Sequence, residues 1–335
     1  MPKVPINDIR VYHKDLIVAT QGRAIWMIDD ISPLHQITPA VTASAVHLYK
    51  PRDGYRTRAG AEHLSPTIAY YLPSVPAGAV KIEILDSLAK PFNEYSSDAP
   101  VAGGGRGRGG RGGAAGGGGG GGGRAGAAGG GAGAAADAAP PDPEAGGGGG
   151  GRGRGNAIVS RVTKDAGVNR FVWDLRHSSG LTAPPGRYQA KLTVGDVTQT
   201  VSFRVLIDPR VAAEGVTNAD LREQFAHNMR MRDLVTDVNA VVARTRAAQT
   251  RLRGATGAAA DSLARVEAVA AKLLTPSIRY SKPGLQSHIT YLAGMTTGAD
   301  QKIGRDAIER MAQLRKELDA IKAELDKALG AEKRM

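Results

Sequence analysis

Seven histidines, His13, His35, His47, His63, His177, His227 and His288, are the side chains best placed to move protons or bind metal near neutral pH. No two stand at i, i+4, and neither an HExxH nor an HxH pair occurs. The spacing that brings two imidazoles onto one metal is missing, so surface or capping roles are expected. Asp29 and Asp30 are the nearest approach to a carboxylate pair. Neighbours on a strand point to opposite faces, which is poor geometry for two acids sharing one substrate, so strand-end roles are expected. Arg23, close to Trp26, could contact an anion or a sugar, but a hairpin Arg packed over an aromatic ring needs no ligand. Asp174 and Arg176 flank Leu175 beside Trp173, the spacing of a same-face strand pair, and read as structural. Asp8 and Asp15 fit turns or strand ends, while Glu83, Asp86 and Asp174 fall in alternating patterns that point to solvent. There is no GxSxG elbow and no P-loop. No catalytic, cofactor-binding or metal-ligating residue is assigned.

The net charge of +12 suggests nucleic acid until it is divided along the chain. Residues 1–102 carry 10 basic and 10 acidic side chains, residues 103–155 carry 6 and 3, residues 156–215 carry 8 and 5, and residues 216–335 carry 20 and 14. A phosphate-tracking face concentrates its charge, and this excess is spread. Four Phe and two Trp leave little surface for stacking bases. The absence of cysteine excludes disulfides, Cys-zinc sites and thiol nucleophiles. No apolar stretch approaches the roughly 18 residues that cross a bilayer. The opening MPKVPINDIRVYHK has charges inside its first apolar stretch and no small-residue cleavage site, so it does not read as a secretory signal.

The elements that would position these residues fall into three stretches. Ile6–His13, Asp15–Thr20 and Ala24–Asp29 read as short strands, the last two joined through Gln21-Gly22-Arg23 as a hairpin. Three strands with an apolar, aromatic face cannot make a stable core alone. Residues 46–209 then read as an all-β unit with strands at Val46–Tyr49, Thr67–Leu72, Val80–Asp86, Ile158–Val162, Asn169–Leu175, Gly186–Val194 and Thr198–Ile207. Val80, Ile82 and Ile84 alternate with Lys81 and Glu83, and Tyr188, Ala190, Leu192 and Val194 with Gln189, Lys191 and Thr193. Gly195-Asp196 is the turn of a further hairpin. About seven short strands at turn-bounded spacing suggest an immunoglobulin-type β-sandwich.

Of the 45 glycines, 29 lie between Gly103 and Gly155, in a Gly-Ala-Arg tract that interrupts the β unit. With almost nothing to bury, the tract is expected to be a disordered insertion. Its GxGxxG-like matches neither follow a strand nor open a helix, and its RGRGGRGG run gives RNA binding as a minor alternative. From Thr217 the period becomes helical. Thr217 or Asn218 can cap a helix running toward Leu252, which Gly254 and Gly257 break. Ala260–Leu274 and Leu285–Ala293 follow, separated by Pro276 and Lys282-Pro283-Gly284. The last helix, Asp306–Leu329, carries Met311, Leu314, Leu318, Ile321, Leu325 and Ala328 as a heptad seam, expected to pack inside a bundle.

The segment DLIVATQGRAIWMIDD, followed by Ser32-Pro33-Leu34 and then HLYKPR at His47–Arg52, resembles the close of bacterial β-propellers of the BNR-repeat, sortilin-like (VPS10) kind. That family is described as glycosyl hydrolase (exo-sialidase)-like. GVNRFVWDLRH at Gly167–His177, the PPGRYQAKLTVGD run at Pro184–Asp196 and the tail from Gly284 extend the resemblance over nearly the whole chain outside the tract. Gln21 stands where the family usually has His, and the Asp-box pattern S-x-D-x-G-x-x-W does not occur.

The resemblance implies a multidomain β plus α chain. Residues 1–40 would be an incomplete last propeller blade, residues 41–210 an Ig-like (FlgD-like) β-sandwich carrying the insertion 103–155, and residues 216–335 a helical C-terminal bundle. The expected partners are missing N-terminal blades, with Met1 not the natural start, together with a protein or glycan partner. Catalytic residues would lie on those blades, so none is carried over here. The function implied is a non-catalytic accessory or interaction region without cofactor. The alternative is part of a sialidase-like glycosyl hydrolase or a peptidase. A periplasmic or secreted parent is implied as well.

Overall fold

A computed structural model describes residues 3–57, 64–99 and 161–332. Strands β1 (Ile6–Tyr12), β2 (Asp15–Thr20) and β3 (Ile25–Ile28) form an antiparallel three-stranded sheet in that order. Its first turn has only His13 and Lys14 between the paired Tyr12 and Asp15, both with positive φ, as a two-residue hairpin of right-handed twist demands. The second turn places Gly22 at φ +68°, as its position in Gln21-Gly22-Arg23 led one to expect. The third strand ends at Ile28, so Asp29 and Asp30 lie beyond it rather than on a strand.

A short 3-10 turn, Leu34–Gln36, and helix α1 (Pro39–Thr42) lead into two further sheets. One contains β4 (His47–Leu48), β6 (Thr67–Leu72) and β9 (Gly167–Val172); the other has the order β5 (Gly54–Arg56), β11 (Val197–Ile207), β10 (Gly186–Val194), β7 (Val80–Leu85) and β8 (Pro91–Ser96). The second is mixed, because β5 runs parallel to β11. Leu48, Ile68, Tyr70 and Phe171 from the first sheet and Ile82, Ile84, Tyr188, Leu192 and Phe203 from the second join one hydrophobic cluster, with Trp173 fully buried in it. The period-2 apolar positions of β7 and β10 supply this core, and Lys191 and Glu83 pair at 2.7 Å beside it.

Several details differ from the expectation. The strand expected at Asn169–Leu175 ends at Val172, and Leu175 takes φ +58°, which breaks extended pairing. Asp174 and Arg176 are therefore no same-face strand pair. Of Ile158–Val162, residues 158–160 lie outside the described residues, and Val162 is buried without being in a strand. The tract 103–155 also lies outside them. Two strands, β5 and β8, had no counterpart in the periodicity.

The C-terminal region is helical. Helix α2 (Pro209–Ala213) precedes α3 (Asn218–Leu252), α4 (Ala258–Leu273), α5 (Leu285–Thr297) and α6 (Arg305–Glu332). Thr217 is the cap of α3: its hydroxyl accepts from Asp220 N–H at 3.1 Å, and Asp220 accepts from Thr217 N–H at 2.9 Å. Leu314, Leu318, Ile321, Leu325 and Ala328 of the heptad seam are buried against α3 residues such as Leu234, Val238 and Val241 and α4 residues such as Val266 and Val269. No helix among the described residues is long and apolar enough to cross a membrane.

A continuous seam joins these helices to the β-sheets. Phe225 of α3 stacks on Phe92 of β8 with ring centroids 5.8 Å apart. Arg56 of β5 grips Asp300, in the α5–α6 connection, through Nε at 3.2 Å and Nη2 at 2.8 Å. Its Nη1 donates to the Thr182 and Ala183 carbonyls, and both charged side chains are about 95% buried. Burying this pair is tolerable because the guanidinium meets the carboxylate in a fork and its other donors also find oxygens.

Candidate functional site

The sheet β1–β3 is the most unusual surface of the described chain. Directly opposed residues of antiparallel strands share a face, so register identifies both faces. Ile9, Val18 and Trp26 form one cross-strand row, and Val11, Leu16 and Ile28 form the next. Both rows are apolar. The opposite face contains the rows Arg10, Ile17, Met27 and Asp8, Ala19, Ile25, with Tyr12 opposite Asp15. It too is mostly apolar.

Only Val18 is buried among these residues; exposure ranges from 40% at Trp26 to 69% at Ile25 for the large apolar side chains of β3. Every residue of β1 is exposed. An antiparallel sheet usually turns one polar face to water, and here large apolar side chains are exposed instead. Both outer strands, β1 and β3, also present unpaired edges to further strands.

One end of this sheet is bolted to the segment before β5. Asp15 Oδ1 accepts from Asp30 N–H at 2.8 Å and from Arg52 Nη1 at 3.0 Å. Arg52 Nε lies 3.9 Å from Asp30 Oδ2, and the Asp30 side chain is only 4% exposed. Asp30 takes φ +58° and accepts the Ser32 N–H at 3.0 Å, while Ile31 N–H donates to the Lys14 carbonyl at 2.7 Å. Gln36 adds a second bolt: its Nε2 donates to Ser32 and Lys50 carbonyls, and its Oε1 accepts Lys50 N–H at 2.9 Å. Asp30 thus positions the sheet, and half-buried Asp29 does not join it in a paired site.

The remaining sequence candidates are scattered. Trp26 Nε1 donates to the Arg23 carbonyl at 2.9 Å, so the link between these two runs through the backbone rather than a guanidinium over the ring. Asp174 accepts from Tyr95 hydroxyl and Arg176 N–H, both at 3.0 Å, which corrects the expectation that it faces solvent. Burial and that carboxylate raise the Tyr95 pKa above its ordinary value. Asp86 accepts N–H groups of Leu88 and Lys90 and closes the β7–β8 turn. His13 rests against Tyr12, His47 against Tyr49, His35 is exposed within the 3-10 turn, His288 is exposed and His63 lies outside the described residues.

The nearest approach to a nucleophile and base is His177 with Ser179, Nδ1 and Oγ 2.8 Å apart. The same Nδ1 accepts Ser179 N–H at 3.0 Å, and the ring is held edge-on by Phe92 and Phe225. That is a turn with a local cap, and among the described residues no carboxylate hydrogen bond to the imidazole orients it as a base. A cavity of about 400 Å³ beside α3, α4 and α5 is lined by Arg246, Leu274, Thr275, Ser277, Gln286 and neighbours. Its lining holds no carboxylate or imidazole to move a proton. Among the described residues, no three His, Asp or Glu side chains group so as to hold a metal ion. The chain matches no protein-family model, no curated protein and no solved structure.

Proposed function

We propose that this chain is the C-terminal accessory region of a sortilin-like, BNR-repeat propeller protein, acting by contact rather than by catalysis. In this reading residues 1–40 belong to the last blade, residues 41–210 are an Ig-like sandwich, and residues 216–335 brace the propeller or engage a protein partner. The observation that carries it is the sheet whose large apolar side chains stay exposed on both faces, Ile9 and Trp26 on one and Ile25 and Met27 on the other, around a central strand in which Val18 is buried. A propeller blade is a four-stranded sheet covered on both faces by its neighbours. A three-stranded sheet that is apolar on both sides, with open edges, has the character of such a blade. The Asp15–Arg52–Asp30 clamp supports the reading, because it fixes the sheet by one end. The shared core of the five- and three-stranded sheets supports the sandwich.

The test is to co-express the chain with the polypeptide encoded immediately upstream of it and follow acrylamide quenching of Trp26. Trp173 is fully buried and serves as the internal reference, and Trp26→Phe assigns the signal. The reading expects in-frame Asp-box repeats upstream, a one-to-one complex, and loss of Trp26 quenching within it. Absence of such repeats, or a Trp26 equally quenched with the upstream polypeptide present, would overturn it.

A further inference from the structure

Two imidazoles, one half-buried and one fully buried, belong to the elements that meet at this seam. His177 stands on the β side, its ring 4.6 Å from that of Phe92 and 5.6 Å from that of Phe225. His227 lies on α3 itself, is 0% exposed, and has no hydrogen-bond partner at either ring nitrogen. On the same turn Gln224 and Asn228 donate to the Thr296 carbonyl at 2.9 and 3.1 Å, and their own amide oxygens stay unpartnered. A neutral imidazole survives such a site at the cost of its hydrogen bonds. An imidazolium buried there needs an anion to offset its desolvation.

We propose that this seam is an acid-sensitive lock, closed while His177 and His227 are neutral and loosened when they take up protons. The charge that acts most strongly on each ring is a cation. Around His177, Arg232 of α3 and the adjacent Arg176 are cations, Asp174 is engaged by Tyr95 and Arg176, and Glu94 of β8 pairs with Lys81. Around His227, Arg230 outweighs Glu223 on the same helix. Against α3, His288 and Tyr291 of α5 and Asp306 and Glu309 of α6 are exposed, as are the charged residues of α4, and Asp300 is closed by Arg56.

Burial is the leading cause that holds both histidines below the ordinary imidazole value of 6.5, with Arg232 adding to it for His177 and Arg230 for His227. The opened chain therefore binds protons more readily than the closed one. Seam stability is intact above pH 6.5 and falls as the pH drops below it toward the depressed folded values. The elements released would be the first turns of α3 and the α5–α6 connection, which the Gln224 and Arg56 hydrogen bonds hold in place.

Hydrogen–deuterium exchange of the full chain at about pH 7.5 and about pH 5 tests this across the titration range of histidine. After correction for intrinsic exchange, residues 217–232 and 298–304 should exchange about tenfold faster at the lower pH, with β7 and β10 unchanged. His227→Leu should abolish most of that response and His177→Gln part of it. Equal corrected exchange at both pH values, acceleration spread equally over β7 and β10, or a response surviving in both variants would overturn the proposal. Titration of the His227 ring in the unaltered chain by NMR does not depend on the variants folding. A midpoint at or above 6.5 would equally overturn it.

Discussion

Arg56 and Asp300 do more to define this structure than any residue whose type drew attention in the sequence. They stand 244 positions apart, in a three-residue strand and an inter-helix connection, and nothing local to either announces the pair. Asp30 is the reverse case. Its place at a strand end was legible, but its left-handed backbone and its approach to Arg52 depend on a segment twenty residues away, which periodicity does not report. Removing one partner of a buried ion pair strands the other charge, so Arg56→Met or Asp300→Leu should each cost about 3–5 kcal/mol in chemical denaturation. The double variant should recover much of that loss, because no uncompensated charge then stays buried. Equal losses in the single and double variants would show that the pair acts through packing alone.

Elements were readable where local chemistry and burial agree. The alternation of β7 and β10, the Thr217 cap and the six-residue seam of α6 each matched a periodicity with a face that the core then buries. Strands β5 and β8 were not readable for physical reasons. β5 is three residues long, opens with Gly54, and gains its identity from parallel pairing with β11. Gly54 is also packed against Pro66, where a Cβ would come within 2.5 Å of the proline ring. β8 begins with Pro91 and alternates weakly, with only Phe92 buried. Among the elements that were legible, α3 offers a direct check. Thr217→Ala removes the hydroxyl that accepts from Asp220 N–H and donates to the Asp220 carboxylate, while the reciprocal bond from the backbone N–H of residue 217 stays. It should lower stability by about 1 kcal/mol in matched urea curves, and Thr217→Ser should restore most of it.

At the scale of the whole molecule the described chain buries its β-sheet and helical cores and leaves the outer strands of its first sheet exposed. Glycoside hydrolysis usually requires two carboxyl groups about 5–10 Å apart across a cleft. Here Asp15 and Asp30 are committed to Arg52 and to backbone N–H groups. A panel of fluorogenic glycosides and peptides should therefore show no turnover that tracks the purified chain, and turnover lost on Asp29→Asn or Asp30→Asn would reverse that conclusion. The central claim concerns the bare sheet, and sedimentation velocity tests it most directly. Two apolar faces with open edges should drive the isolated chain to associate over about 1–100 µM, the range in which exposed apolar strands aggregate. Replacing Ile9 and Ile28 by lysine, in adjacent rows of one face, should shift the distribution toward monomer without altering the helical circular dichroism. A chain that sediments as a single monomeric species throughout that range, unchanged by the two lysines, would contradict the account.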